Sequence, residues 1–153
     1  MAGRVADDEG EAVPDAMVEI WQAVGAGCSR HPADGRRSDV PSSFISFGLV
    51  VTSDEGGFEL TTARPGTVPG RDGSVQAPHL DIHVFARGLL DRLWTRIHCV
   101  GNPTSDADPG FTSLPPERRS TLMAEPVDED GELTTYRFDV VLQCQHEMVF
   151  FVA

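Results

Sequence analysis

Apolar and polar residues alternate along much of this chain with the period of two that marks a half-buried β-strand. In residues 16–24, AMVEIWQAV, the set Val18, Ile20, Gln22 and Val24 opposes Met17, Glu19, Trp21 and Ala23, directly after the acidic turn DDEGEAVPD. That pattern predicts a strand. Residues 46–62, SFGLVVTSDEGGFELTT, predict two strands joined as a hairpin by an Asp-Glu-Gly-Gly turn. HLDIHVFA (79–86) and RLWTRIHCV (92–100) predict two more. TTYRFDVVLQC (134–144) places Tyr136, Phe138, Val140 and Leu142 on one face after the turn DEDGE, and HEMVFFVA (146–153) predicts a closing strand. Only LPPERRSTLMAEP (114–126) reads as helical, with Pro115 and Pro116 at its start and Glu117 in its first turn. Two stretches, 25–43 and 63–78, are long loops, and loops of that length in a compact domain tend to be functional or disordered.

Short strands, long loops and no internal repeat predict an all-β fold, an antiparallel two-sheet β-sandwich with long loops and one short helix. The 153 residues suit a single domain spanning 1–153, and the 15 glycines and 11 prolines agree with many turns. Twelve Lys and Arg against 24 Asp and Glu leave a formal charge of −12. That sign opposes nucleic acid and anionic membrane as partners, since phosphate binding needs basic patches. Cys28, Cys99 and Cys144 are an odd, widely spaced set; they predict reduced thiols and a cytoplasmic protein. The acidic N-terminus lacks the apolar stretch of a signal peptide, and no run approaches the ~20 apolar residues of a membrane helix.

Candidate chemistry concentrates in SVQAPHLDIHVFARG (74–88). His79, Asp81 and His83 alternate with Leu80 and Ile82, so on a strand they share a face. Two imidazoles and a carboxylate could bind Zn, Fe or Mn, with His31, Asp34 or Asp39 of the long loop as a further ligand. A polar face on an edge strand needs no metal, and spacing alone leaves both readings open. Cys28 lies near His31 in sequence, but a nucleophile–base pair without an orienting third group makes no triad. The Asp/Glu-Gly turns lack the ligand spacing of a calcium loop and read as hairpin turns. Arg87 could present its fork to a carboxylate or simply be solvated.

Several strings together resemble one family. VEIWQA followed by GAG, then TSDEGGFELTTARPGTVP, APHLDIHVFARGLLDRLWTRI and YRFDVVLQCQHEMVFF are similar to the intradiol ring-cleavage dioxygenases. APH leading into FARGL, together with LPPERRSTLMA and the FF near the end, resembles the alpha subunits of protocatechuate 3,4-dioxygenases. The resemblance implies opening of a catechol ring between its hydroxyl-bearing carbons, with O2 and a non-haem Fe(III) held by two tyrosines and two histidines. In protocatechuate that reaction gives 3-carboxy-cis,cis-muconate, a step of aromatic catabolism.

Carried over by position, the first tyrosine place reads Cys28-Ser29-Arg30, with Ser29 as the counterpart. The second, in PG-x-Y-P, reads Pro65-Gly66-Thr67-Val68-Pro69, so Val68 stands there. The RP-x-H-x-H string reads Gln76-Ala77-Pro78-His79-Leu80-Asp81: His79 keeps the first histidine, Asp81 replaces the second, and Gln76 replaces the arginine. The single tyrosine, Tyr136, lies in a late strand. The resemblance therefore implies a chain with no catalytic residue and no metal of its own, paired with a beta subunit that holds the iron. It implies that Arg87, the arginine of FARG, helps hold the carboxylate of the substrate in that partner's site. Alpha subunits of this family also carry an N-terminal segment ahead of the GRV strand; the domain expected here lacks it. Two other classes fit parts of the chain: a stand-alone transthyretin-like β-sandwich binding module, and a metalloenzyme using His79, Asp81 and His83 differently.

Overall fold

A computed structural model describes residues 1–70, 73–102, 104–130, 133–142 and 148–151. Its strands are β1 (Ala2–Ala6), β2 (Met17–Gln22), β3 (Phe47–Val51), β4 (Gly57–Glu59), β5 (Val68–Pro69), β6 (Val75–Gln76), β7 (Leu80–Phe85), β8 (Leu93–Cys99), β9 (Met123–Asp130), β10 (Leu133–Arg137) and β11 (Val140–Val141). Two four-residue helices, α1 (Pro109–Thr112) and α2 (Pro116–Arg119), lie between β8 and β9. Among the described residues no helix is long and apolar enough to cross a membrane.

The strict alternation of β2 and β7 is visible in burial. Val18, Ile20 and Gln22 on β2, and Leu80, Ile82 and Val84 on β7, are buried, while Met17, Glu19, Trp21, Asp81, His83 and Phe85 are not. The two strands are antiparallel neighbours, and β3 and β8 flank them, giving the order β8-β7-β2-β3. Their buried faces meet Val5, Phe58, Ala124, Phe138, Val140 and Leu142 from the other strands in one core. Burying such side chains stabilises each by roughly 1.5–3 kcal/mol, which fixes both register and facing.

The all-β expectation holds, but the purely antiparallel two-sheet arrangement does not. Among the described residues nine strands join in one mixed sheet with β5-β6 as a separate ribbon, and β1 runs parallel to β10 and β11 while β8 runs parallel to β9. The β8-to-β9 link is long enough, and helical enough, to return the chain in the same direction, which parallel pairing requires.

Four elements also differ from the sequence reading. The strands of the expected hairpin over 46–62 do not pair with each other. The turn closes through Ser53 N–H to the Gly57 carbonyl (2.9 Å), but β3 pairs with β2 and β4 pairs with β1. The segment links two separate places in the strand order of the sheet. The helix expected over 114–126 ends early: a 3-10 turn at Ser120–Leu122 leads into β9 at Met123, where the buried Ala124 joins the core. The strand expected over 134–144 breaks into β10 and β11 around the buried Phe138; residues 143 and 144 lie outside the described ones. Of the closing segment, 148–151 makes one isolated bridge, Trp94 with Phe151, rather than a strand.

Candidate functional site

The exposed-side residues of β2, β7 and β8 form the floor of a cavity of about 660 Å³. Register aligns them: Glu19 lies opposite His83, Trp21 opposite Asp81, His83 opposite Trp94 and Asp81 opposite Arg96. The two long loops form the walls. They contribute Ser29, His31 and Asp34 from one side and Val68 and Gln76 from the other.

Backbone contact locks these loops together, and this is what the GAG and PG strings do. Gly66 N–H donates to the Val24 carbonyl (3.1 Å), as does Gly27 N–H (2.8 Å). A Cβ on Gly27 would lie 1.9 Å from the Thr67 carbonyl oxygen, and one on Gly66 2.1 Å from that of Gly25. Gly27 also sits at φ +71°, where a side chain is disfavoured. The buried Gln22 ties the same loop to β2, donating to the Ala63 carbonyl and accepting from the Thr62 hydroxyl, both at 2.8 Å. Ser29 is fixed by Asp34, whose carboxylate accepts from the Ser29 N–H (2.8 Å) and the Arg36 N–H (2.9 Å). Those two backbone bonds hold the Asp34 carboxyl below the usual carboxylate range.

His79 and Asp81 meet at the deep end. Nδ1–H of His79 donates to the Ala77 carbonyl (2.7 Å), and its Nε2 lies 3.6 Å from Oδ2 of Asp81. The other oxygen of Asp81 accepts from Nε of Arg96 (3.0 Å) and Nε1 of Trp94 (3.2 Å). Burial pushes the Asp81 carboxyl up. The hydrogen bond and charge of His79, the Arg96 charge and the Trp94 bond outweigh it and hold it at about 2. Behind His79 lies His98, essentially fully buried, its Nδ1 without a hydrogen-bond partner among the described residues. Burial, with the His79 charge beside it, lowers His98 to about 4. The buried Asp108 accepts from the N–H groups of Ala77 (2.7 Å), Gly110 (2.8 Å) and Phe111 (3.1 Å), which anchors the turn preceding His79.

The sequence-predicted residues are thus largely brought together. Ser29, Val68, Gln76, His79, Asp81 and His83 line one cavity, with His31 and Asp34 beside them. Asp39 and Arg87 are exposed and do not line it. His83 pairs with Glu19 (3.5 Å) rather than with Asp81, and no group of three or more His, Cys, Asp or Glu among the described residues could hold a metal. Cys28 is buried against Val24, Val40 and Phe44, and the ring of His31 packs edge-on against Trp21 instead. Sequence reading missed Arg96 and Trp94 as the partners of Asp81. Their signal was present in the equal alternation of RLWTRIHCV, but the cross-strand register depends on the turn between β7 and β8.

A family model described as Dioxygenase matches residues 1–144, and the chain belongs to that family. A protocatechuate 3,4-dioxygenase alpha chain of Pseudomonas putida is 36% identical over 157 residues, covering 99% of this chain and 74% of that one. A protocatechuate 3,4-dioxygenase beta chain of Burkholderia cepacia is 31% identical over 148 residues, covering 94% of this chain and 63% of that one. In fold the chain resembles the catechol 1,2-dioxygenase of Acinetobacter sp. ADP1, with a TM-score of 0.72 at 20% identity over 94% of this chain and 51% of that one. The family match takes in the C-terminal half, which a generic sandwich module does not require.

The cavity occupies the place where the intradiol resemblance sets non-haem Fe(III), and its donors do not fit that ion. Ser29 and Val68 supply no phenolate. Both oxygens of Asp81 are engaged by Arg96, Trp94 and His79, and both nitrogens of His79 face groups of the chain itself. A guanidinium, not a metal, balances the carboxylate.

Proposed function

We propose that the chain is the iron-lacking, alpha-type half of a protocatechuate 3,4-dioxygenase and works with a beta-type partner that holds Fe(III). The reaction breaks the ring bond between the two hydroxyl-bearing carbons of protocatechuate and adds both atoms of O2, giving 3-carboxy-cis,cis-muconate. The observation that carries this reading is the closed Arg96–Asp81–His79 arrangement at the metal position, in a chain 36% identical to an alpha chain over nearly its whole length.

Arg87 is the contribution of this chain to the partner's site. It follows β7, is exposed, and no hydrogen bond, ion pair or ring contact of its side chain exists among the described residues. A planar fork of five donors suits the carboxylate that distinguishes protocatechuate from catechol. Co-expression with an iron-binding beta chain is the test. A coloured tyrosinate–iron complex that cleaves protocatechuate is expected, with the isolated chain colourless and inactive. Stoichiometric Fe(III) and ring cleavage in the isolated chain would overturn the proposal.

A further inference from the structure

We infer that the cavity of this chain is itself an iron-free binding site for a planar aromatic carboxylate. The inference rests on the reading of the chain as iron-lacking and adds a second, non-catalytic ligand site to it. Trp21, Phe85 and Trp94 stand on adjacent strands of one sheet face and line the cavity without being buried by it. Partly buried rings around a concave space of about 660 Å³ are the usual lining of a small-molecule pocket. Ser29 and Val68 are smaller than the tyrosines that the resemblance puts at their places, so the space is open to a ring.

The charges select the ligand. Asp81 is neutralised by Arg96, and Asp34 is held by backbone N–H groups of its own loop. Glu19, 3.5 Å from His83, offers an acceptor for a ring hydroxyl on the floor. Among the described residues Arg92 is the one guanidinium on the cavity lining, it is exposed, and its side chain has no partner there. An unpaired fork beside an aromatic box takes a carboxylate on a flat ring. The Glu19 charge directs that carboxylate to the Arg92 end.

The chain has two tryptophans, and both line this cavity. The full chain labelled with 5-fluorotryptophan is titrated with 3,4-dihydroxybenzoate and, separately, with catechol, and its fluorine spectrum is followed. Both resonances should move saturably with the acid, and catechol should bind at least about tenfold more weakly for want of the charged contact. Arg92→Gln should bring the acid down to the affinity of catechol, and Arg87→Gln should leave it unchanged. Static resonances up to millimolar acid, equal affinity for the two ligands, or loss with Arg87→Gln alone would each overturn the inference. The wild-type comparison of the two ligands stands whatever the variants do. No iron and no partner enter the measurement, so it fails or succeeds separately from the co-expression test.

Discussion

The two ends of β7 carry similar polar side chains in opposite circumstances. At the His79 end the chain satisfies most of its own groups, the buried His98 Nδ1 apart: Asp108 anchors the turn, the Ala77 carbonyl holds His79, and Arg96 and Trp94 hold Asp81. At the far end Arg87 and Arg92 flank a turn whose Leu90 is fully exposed, and neither guanidinium has a partner among the described residues. A buried polar group must find its partner within the fold, because leaving it unmade costs ~1–3 kcal/mol. A group in water carries no such obligation and is free to meet a ligand. On the proposed reading the closed end serves stability and the open end recognition.

Substitutions should separate the two ends. Asp108→Ala strips an acceptor from three backbone N–H groups beside the cavity and should cost about 4 kcal/mol in urea unfolding. A loss below ~1 kcal/mol would mean that the anchor is dispensable.

Acid should reach the closed end next, through His98. Its folded pKa, about 4, lies below the usual value of 6.5, so the unfolded chain binds the proton first. The stability contributed by neutral His98 is complete above pH 6.5 and falls as pH drops toward 4, by about 3 kcal/mol. His98→Leu should flatten that slope, and denaturation midpoints taken across this window test it. The Asp81 contribution, from a pKa held at about 2 against 3.8, is lost only at lower pH, below the His98 window.

Arg96→Met leaves Asp81 half-buried without its guanidinium and should cost about 2 kcal/mol, discounted for partial exposure. The double variant Asp81→Asn with Arg96→Met should regain most of it. At the open end Arg87→Ala should change stability by less than ~0.5 kcal/mol. In the complex with a beta chain the same change should raise KM for protocatechuate as one charged contact does, by about 2–4 kcal/mol. An Arg87→Ala chain that unfolds easily, with KM intact, would erase the distinction between the two ends.

Much of this was legible in the sequence. Val18, Ile20, Leu80, Ile82 and Val84 announced their burial by alternation, because period two fixes which side chains share a face. The same rule put Asp81 and His83 on one face, whereas the loop–loop contact at Gly27 and Gly66 appeared only in the structure. Partnership was not legible. His83 meets Glu19 and Asp81 meets Arg96 only because β2, β7 and β8 pair in one register. Nor was the mixed sheet, since the direction in which β9 and β1 join it depends on where a long connection returns.

The sequence by itself determined that β2, β7 and β8 form, that their side chains alternate between two faces, and that Ser29 and Val68 at the two tyrosine places offer no phenolate. Those are matters of local periodicity and side-chain chemistry. Only the tertiary structure decided that Asp81 is neutralised by Arg96, that Arg92 rather than Arg87 lines the cavity, and that both tryptophans line it. Each is a contact across strands or loops distant in sequence, set by the burial of a shared core that no single segment encodes.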